Sequence, residues 1–446
     1  MDLTQGKISH HIRDIAIPAA LGFFFNTMFN VVDTYFAGWI STEALAALSL
    51  SFPVFFIILA FVQGIGTGSS ALISNALGSR DEKQAQQISA QILTFAFCCY
   101  FLVVFVGLKT DRILFQLMGA EGEYLEMAVA YMDVIFKGSF FFILLYAANS
   151  ILLAHGNSRV LRNFLILGCL INALLDPWFL FGGFGVPAMG LKGIAYATVL
   201  TMMLGFFYVM YEVISEGYFR VCTFSDFIPK KEAFAAIALQ SIPAALNMMT
   251  IGIGIFVTTY FVKDFGPAAV AAYGIGIRAE QITLLPTIGL TIASLTIVGQ
   301  NNGAGLYERI KETLWISLKY GGGIVLIGGF LMATFPEAFF RVFTKDPNVI
   351  QIGGAYLRIA AFISGGYMIL GVFMSALQGM KKPFFPLLMG LFRQILAPGL
   401  IFYYLLKIKG FDLIGMWISL FFIVWTGACI TIVYTYWVLR KKIERR

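Results

Sequence analysis

The chain has 446 residues, of which 59% are hydrophobic and only 12% charged, against about 25% charged in an ordinary soluble domain. That balance excludes a water-soluble enzyme or binding module and points to a protein embedded in a bilayer. The net charge of +7 is not a nucleic-acid footprint, because the Lys and Arg gather in alternate loops between apolar stretches.

Stretches of about 20 apolar residues, each long enough to cross ~30 Å of hydrocarbon as a helix, recur from end to end. The sequence predicts twelve: 14–40, 45–77, 88–108, 128–155, 161–182, 190–214, 236–262, 268–300, 314–336, 352–378, 384–406 and 412–438. The first is no cleaved signal peptide: it is too long, has no small-residue cleavage site and carries Asp33. One set of loops, from Lys7 and Arg13 to the basic tail ending Arg445-Arg446, holds eighteen Lys and Arg, and the opposite set holds eight. The positive-inside rule then expects both termini in the cytoplasm and an even number of spans.

In the first span, Asn26, Asn30 and Asp33 follow i, i+4, i+7 spacing and form one polar stripe. A carboxylate in lipid costs roughly 2.5–3.5 kcal/mol on insertion scales, so Asp33 must face protein or water. Pro18 removes a backbone hydrogen bond near the start of the same helix, which makes a kink or hinge reasonable. The fourth span carries Asn149. The fifth carries Asn172 and Asp176, i and i+4 on one face, and the sixth carries Thr198. At ~1.5 Å per residue, Asp33 stands ~28 Å and Asp176 ~22 Å above the inner ends of their spans, with Thr198 ~12 Å below an outer end. All three fall in the outer half of one bundle. Their oxygens suit a hard cation such as Na⁺. They suit a shared proton equally, since two close carboxylates cannot both ionise cheaply. A purely structural pair tying helices together is the plain alternative.

In the eighth span Arg278 and Glu280, at i and i+2, point to different faces, and either could line a cavity. Five cysteines, odd in number and mostly inside spans, show no metal or disulfide spacing. The loops are short and contain no phosphate-binding G-x-x-x-x-G-K-[ST] motif, so ATP does not drive the protein directly.

The chain repeats itself at an offset of 225. Ile17-Pro18 matches Ile242-Pro243, Thr34-Tyr-Phe36 matches Thr259-Tyr-Phe261, Gly64 matches Gly289, Ser69 matches Ser294, and Ala130-Tyr131 matches Ala355-Tyr356. Six spans per half keep both halves in one orientation. The expected fold is all-α and integral to the membrane: twelve transmembrane helices in two six-helix bundles, related by a pseudo-two-fold axis along the membrane normal. The lobes are expected at 1–222, carrying the cation site, and 236–446, joined by a cytoplasmic linker at 223–235. The position matching Asp33 is Thr258, so the acidic chemistry belongs to the first half alone.

These stretches together, with Asn172-Ala-Leu-Leu-Asp176-Pro177, Gly193-Ile-Ala-Tyr-Ala-Thr198, Arg278-Ala-Glu280 and Gly299-Gln-Asn-Asn-Gly303, make the chain resemble the multidrug and toxic compound extrusion (MATE) transporters over nearly its whole length. It is most similar to the prokaryotic branch typified by the DNA-damage-inducible F protein. The resemblance implies two lobes that alternate access and export organic cations in exchange for H⁺ or Na⁺. By motif, cation or proton coupling would fall to Asp33, Asn172, Asp176 and Thr198, with Tyr131 and Asn149 nearby. Substrate would meet Asn26, Phe29, Asn30 and Met202, and Pro18 would act as hinge. Arg278 and Glu280 are secondary candidates. No cofactor is expected besides the coupling ion. The expected partners are small organic cations and the bilayer, with no nucleic acid, for a monomer in the plasma membrane of a prokaryote. No His pair, Ser/His set or metal cluster marks an enzyme. The alternative is a flippase for lipid-linked oligosaccharides or lipids. That activity needs basic cavity residues for pyrophosphate, whereas the conspicuous charges here are acidic.

Overall fold

The computed structural model describes residues 1–183 and 185–444; Arg445 and Arg446 of the basic tail lie outside the described residues. Among these, twelve helices are long and apolar enough to cross a membrane. They are α1 (Ile8–Ala37), α2 (Thr42–Gly78), α3 (Glu82–Leu117), α4 (Gly122–Ala154), α5 (Arg159–Phe181) and α6 (Leu191–Ser215), then α7 (Lys231–Phe265), α8 (Pro267–Gly303), α9 (Tyr307–Thr334), α10 (Pro347–Gly379), α11 (Phe384–Ile408) and α12 (Leu413–Glu444). A short helix, Pro336–Arg341, follows α9. The protein is a multi-pass, all-helical membrane protein.

Most helices outrun their apolar stretches. α3 covers Glu82–Leu117 where hydropathy marks 88–108. Apolarity reports only the part matched to hydrocarbon, while capping side chains set the ends. The Asp81 carboxylate accepts from the Gln84 amide at 2.8 Å, and the Ser41 hydroxyl accepts from the Ala44 amide at 3.1 Å. Pro347 opens α10 at the first helical position, where its missing N–H is harmless. α1 likewise begins at Ile8, so Pro18 lies well inside the helix rather than one turn from its start.

The 225-residue repeat is written into the turns. After α2, α4, α8 and α10 an amide reaches back five residues to a carbonyl: Asp81 to Ala76, Asn157 to Leu152, Leu306 to Asn301, Lys382 to Leu377, at 2.8–3.1 Å. Each follows a residue in the left-handed region, Arg80, Gly156, Gly305 and Lys381, with φ from 60° to 80°. These are Schellman ends. Arg80 pairs with Gly305 and Gly156 with Lys381 at the repeat offset, so the turn persists although glycine and a basic residue trade places.

The chain forms two compact units. Unit 1 comprises Met1 and Leu21–Ala245, and unit 2 comprises Asp2–Ala20 with the chain from Leu246 onward. This differs from the boundary expected at 223–235. That connection is strapped to α3: buried Gln91 donates to the carbonyls of Asp226 and Ile228 and accepts from the Lys230 amide. Instead α1 and α7 are each shared, changing unit at 20/21 and 245/246, again 225 apart and two residues past Pro18 and Pro243. Glycines explain why. A Cβ on Gly64 of α2 would sit 2.6 Å from the Ala245 nitrogen, one on Gly68 2.6 Å from the Ser241 nitrogen, and one on Gly289 of α8 2.0 Å from the Ala16 oxygen. Backbones meet so closely only where no side chain intervenes. Within unit 1, α4 is the central helix against α2, α3 and α6; within unit 2, α10 packs on α8, α9 and α12.

Candidate functional site

Unit 1 brings together four of the residues singled out by sequence. Asp33 on α1 is 6% exposed, and Asn172 and Asp176 on α5 are fully buried. The carboxyls of Asp33 and Asp176 lie within hydrogen-bonding reach of each other. The Asn172 amide donates to Asp176 Oδ1 at 3.1 Å. Thr198 Oγ1 on α6 lies 3.2 Å from Asp33 Oδ2 and 3.0 Å from the Ile194 carbonyl, so its one proton serves two acceptors. Local sequence fixes these positions. Asn172 and Asp176 are one turn apart on α5, and Pro177 lacks the N–H that would bond the Ala173 carbonyl, which loosens the helix beside the acid.

Donors run short here. Asp33 Oδ1, Asp176 Oδ2 and Asn172 Oδ1 are all buried without a donated hydrogen bond, as is Asn149 Oδ1 elsewhere on α4. Buried oxygens in native proteins nearly always have a partner. Two adjacent carboxyls away from water repel if both ionise, and a proton or a small cation relieves the repulsion. Tyr131 of α4 is buried within electrostatic range of both acids, and Cys169, one turn before Asn172, is within range of Asp33. The spacing of the cysteines gives no sign of this; only the tertiary neighbour marks Cys169.

The remaining candidates are more dispersed. Asn30 turns its amide onto the Asn26 carbonyl at 2.9 Å, and both stay half-buried. Phe29 and Met202 belong to the apolar core of unit 1. In unit 2, Arg278 is exposed while Glu280 is buried and accepts a hydrogen bond from the Tyr356 hydroxyl. Sequence reading missed Tyr356 as a partner, although the repeat signals it, since Tyr356 matches Tyr131. Each unit therefore sets this tyrosine near a buried carboxyl, supplied by α1 and α5 in one and by α8 in the other. Thr258, at the place of Asp33, is also buried.

The chain is similar to an FAD transporter of Shewanella oneidensis, 27% identical across 88% of this chain and 87% of that one. It is also 26% identical to a probable multidrug resistance protein, NorM, of Thermotoga maritima, across 93% of this chain and 89% of that one. Its fold matches a crystal structure of a MATE protein in the bent conformation with a TM-score of 0.92, at 24% identity, covering 99% of this chain and 98% of the other. The MatE family model matches residues 18–178 and again 243–403, both ends displaced by the 225 residues of the internal repeat. With most of its length inside those two matches, the chain belongs to the MATE family of multidrug efflux transporters.

Proposed function

We propose that the protein is a secondary antiporter that exports lipophilic organic cations in exchange for H⁺ or Na⁺ bound at Asp33 and Asp176. The observation that carries this reading is the buried carboxyl pair in which one oxygen of each residue receives no donor. A proton or Na⁺ arriving there relieves the repulsion between the two carboxyls and adds a partner for them beside Asn172 and Thr198. Its departure restores repulsion, so the ion favours one packing of α1 against α5 and α6 over another. A ligand shifts a conformational equilibrium only through such a difference in affinity, and coupling to cargo follows from it. Pro18 supports this reading, because a helix missing one backbone hydrogen bond bends at low energy. The Lys and Arg bias supports cytoplasmic termini in a prokaryotic plasma membrane, and we take the monomer as the working unit.

The test is reconstitution in liposomes with ethidium as cargo under an imposed pH gradient, then under a Na⁺ gradient. Export driven by either gradient and reduced to background in Asp33→Asn and Asp176→Asn, with melting temperatures unchanged, is the expected result. Undiminished export by both variants would overturn the coupling role. The flippase alternative lacks support from the matched relatives described above, which are named for multidrug resistance or FAD transport.

A further inference from the structure

We propose that unit 2 contains a binding site for an anionic group, a carboxylate or phosphate carried by an aromatic amphiphile, anchored by Arg393. Arg393 sits nine residues into α11, so roughly 14 Å from that end of the helix and far from the head-group level. It is 8% exposed, yet its Nε and Nη1 meet no acceptor. Guanidinium does not deprotonate in proteins, and buried charges are found paired or coordinated. Glu280, the buried carboxyl of this unit, is engaged by Tyr356 and forms no ion pair with Arg393 among the described residues. The cation is therefore left without an anion of its own.

The surroundings read as a cradle for one. The guanidinium carbon lies 5.1 Å from the centroid of the Tyr367 ring, and the Tyr367 hydroxyl is within hydrogen-bonding reach of the guanidinium, neutral contacts that leave its charge in place. The alkyl stem lies close to Gly427 of α12, where an added Cβ would come 3.4 Å from Arg393 Cδ and 3.4 Å from Met389 Sδ. Backbone at Phe392–Leu396 takes a π-helical turn, a widening that re-aims the side chain it carries and that recurs at functional sites. The stem is covered, a ring lies at cation–π distance, and buried Nε and Nη1 have no acceptor of their own; these are the donors that Arg offers in fork geometry to a planar or tetrahedral oxyanion. Depth in the bilayer and the aromatic wall select a lipophilic aromatic carrier for that oxyanion rather than a free inorganic ion.

Two dyes with one xanthene ring and opposite charge separate this role from simple packing. Full-length protein in phosphatidylcholine nanodiscs is titrated with fluorescein, a dianion, and with rhodamine 6G, a cation, by fluorescence polarisation. Saturable fluorescein binding is expected, weakened about tenfold or more by Arg393→Gln, partly kept by Arg393→Lys, with rhodamine affinity unchanged. Unchanged fluorescein affinity in Arg393→Gln, or equal loss of both dyes, overturns the site. If that variant does not fold, the wild-type protein still decides. Phenyl phosphate must displace fluorescein and leave rhodamine bound, and failure to displace refutes the proposal. Loss of fluorescein binding in phosphatidylglycerol nanodiscs at high salt, where surface repulsion is screened, would assign the anion to a lipid head group and overturn the amphiphile.

Discussion

Thr198 offers one hydroxyl proton to Asp33 and to its own helix, which makes it the adjustable member of the acidic cluster in unit 1. Replacing it with Val keeps the shape and removes the donor. Ion-driven export in liposomes is expected to fall several-fold while the melting temperature moves little, since the backbone carbonyl can tolerate the loss within a helix. Outside the membrane, Asp226 is held at about 2 by the Thr223 amide first, then by Lys230 at 3.0 Å and the Thr223 hydroxyl. A carboxyl depressed in the folded state stabilises above its ordinary value near 4, and that contribution fades as pH falls from about 4 to about 2. Asp226→Asn should therefore lower the melting temperature at pH 7 and make little difference near pH 2, with added salt removing only the share owed to half-exposed Lys230. At this scale much of the site was legible. Asp33, Asn172, Asp176 and Thr198 stand out because polar groups are costly in apolar spans, and helical rise was enough to level them. Arg393 falls inside the predicted span 384–406, but its orphaned nitrogens depend on Tyr367 and Gly427 from other helices, which no local pattern encodes. Phe29 and Met202 lie in the apolar core of unit 1, and apolar type alone does not say which face meets cargo.

Elements were read well in number and less well at their ends, because hydropathy sees hydrocarbon and not caps. The π-helical turns in α11 had no sequence signal at all. Glycine was the more informative residue. A Cβ at Gly289 would press against the Ala16 carbonyl at 2.0 Å, whereas one at Gly322 would meet nothing within 4 Å. Gly289→Ala should destabilise by about 1–3 kcal/mol or more, the range of overpacked cores. Gly322→Ala, with helical φ, should be neutral or slightly stabilising. Thermal melts of the two variants in detergent check the contrast, and equal melting temperatures would contradict the close approach of α1 and α8.

For the whole molecule, one displacement of 225 residues governs the repeat, the Schellman turns, the switching points of α1 and α7 and the two family matches. The backbone was duplicated more faithfully than the chemistry, which is why Asp33 stands opposite Thr258 and why fold was easier to read than function. The orientation drawn from loop charge has its own check: a fluorescent protein fused after residue 446 should glow and alkaline phosphatase fused there should be inactive, and the reverse pattern would invert the topology.

Sharing of α1 between the units also sets an order of assembly. Residues 2–20 are synthesised before everything they bind. The Leu3 amide bonds Gln300 Oε1, 297 residues further on, Asn301 returns a bond to the Leu3 carbonyl, and Arg309 reaches the carbonyls of Leu3 and Gly6. A nascent chain usually matures from its N-terminal side, but here the earliest stretch of α1 waits for α8 and α9 to be inserted. Five helices of unit 1 can pack meanwhile, with half of α1 and, later, half of α7. Closure of the second half is thereby tied to a segment made long before it, and a stalled or truncated chain is left with an apolar arm that no partner covers, a ready mark for membrane quality control.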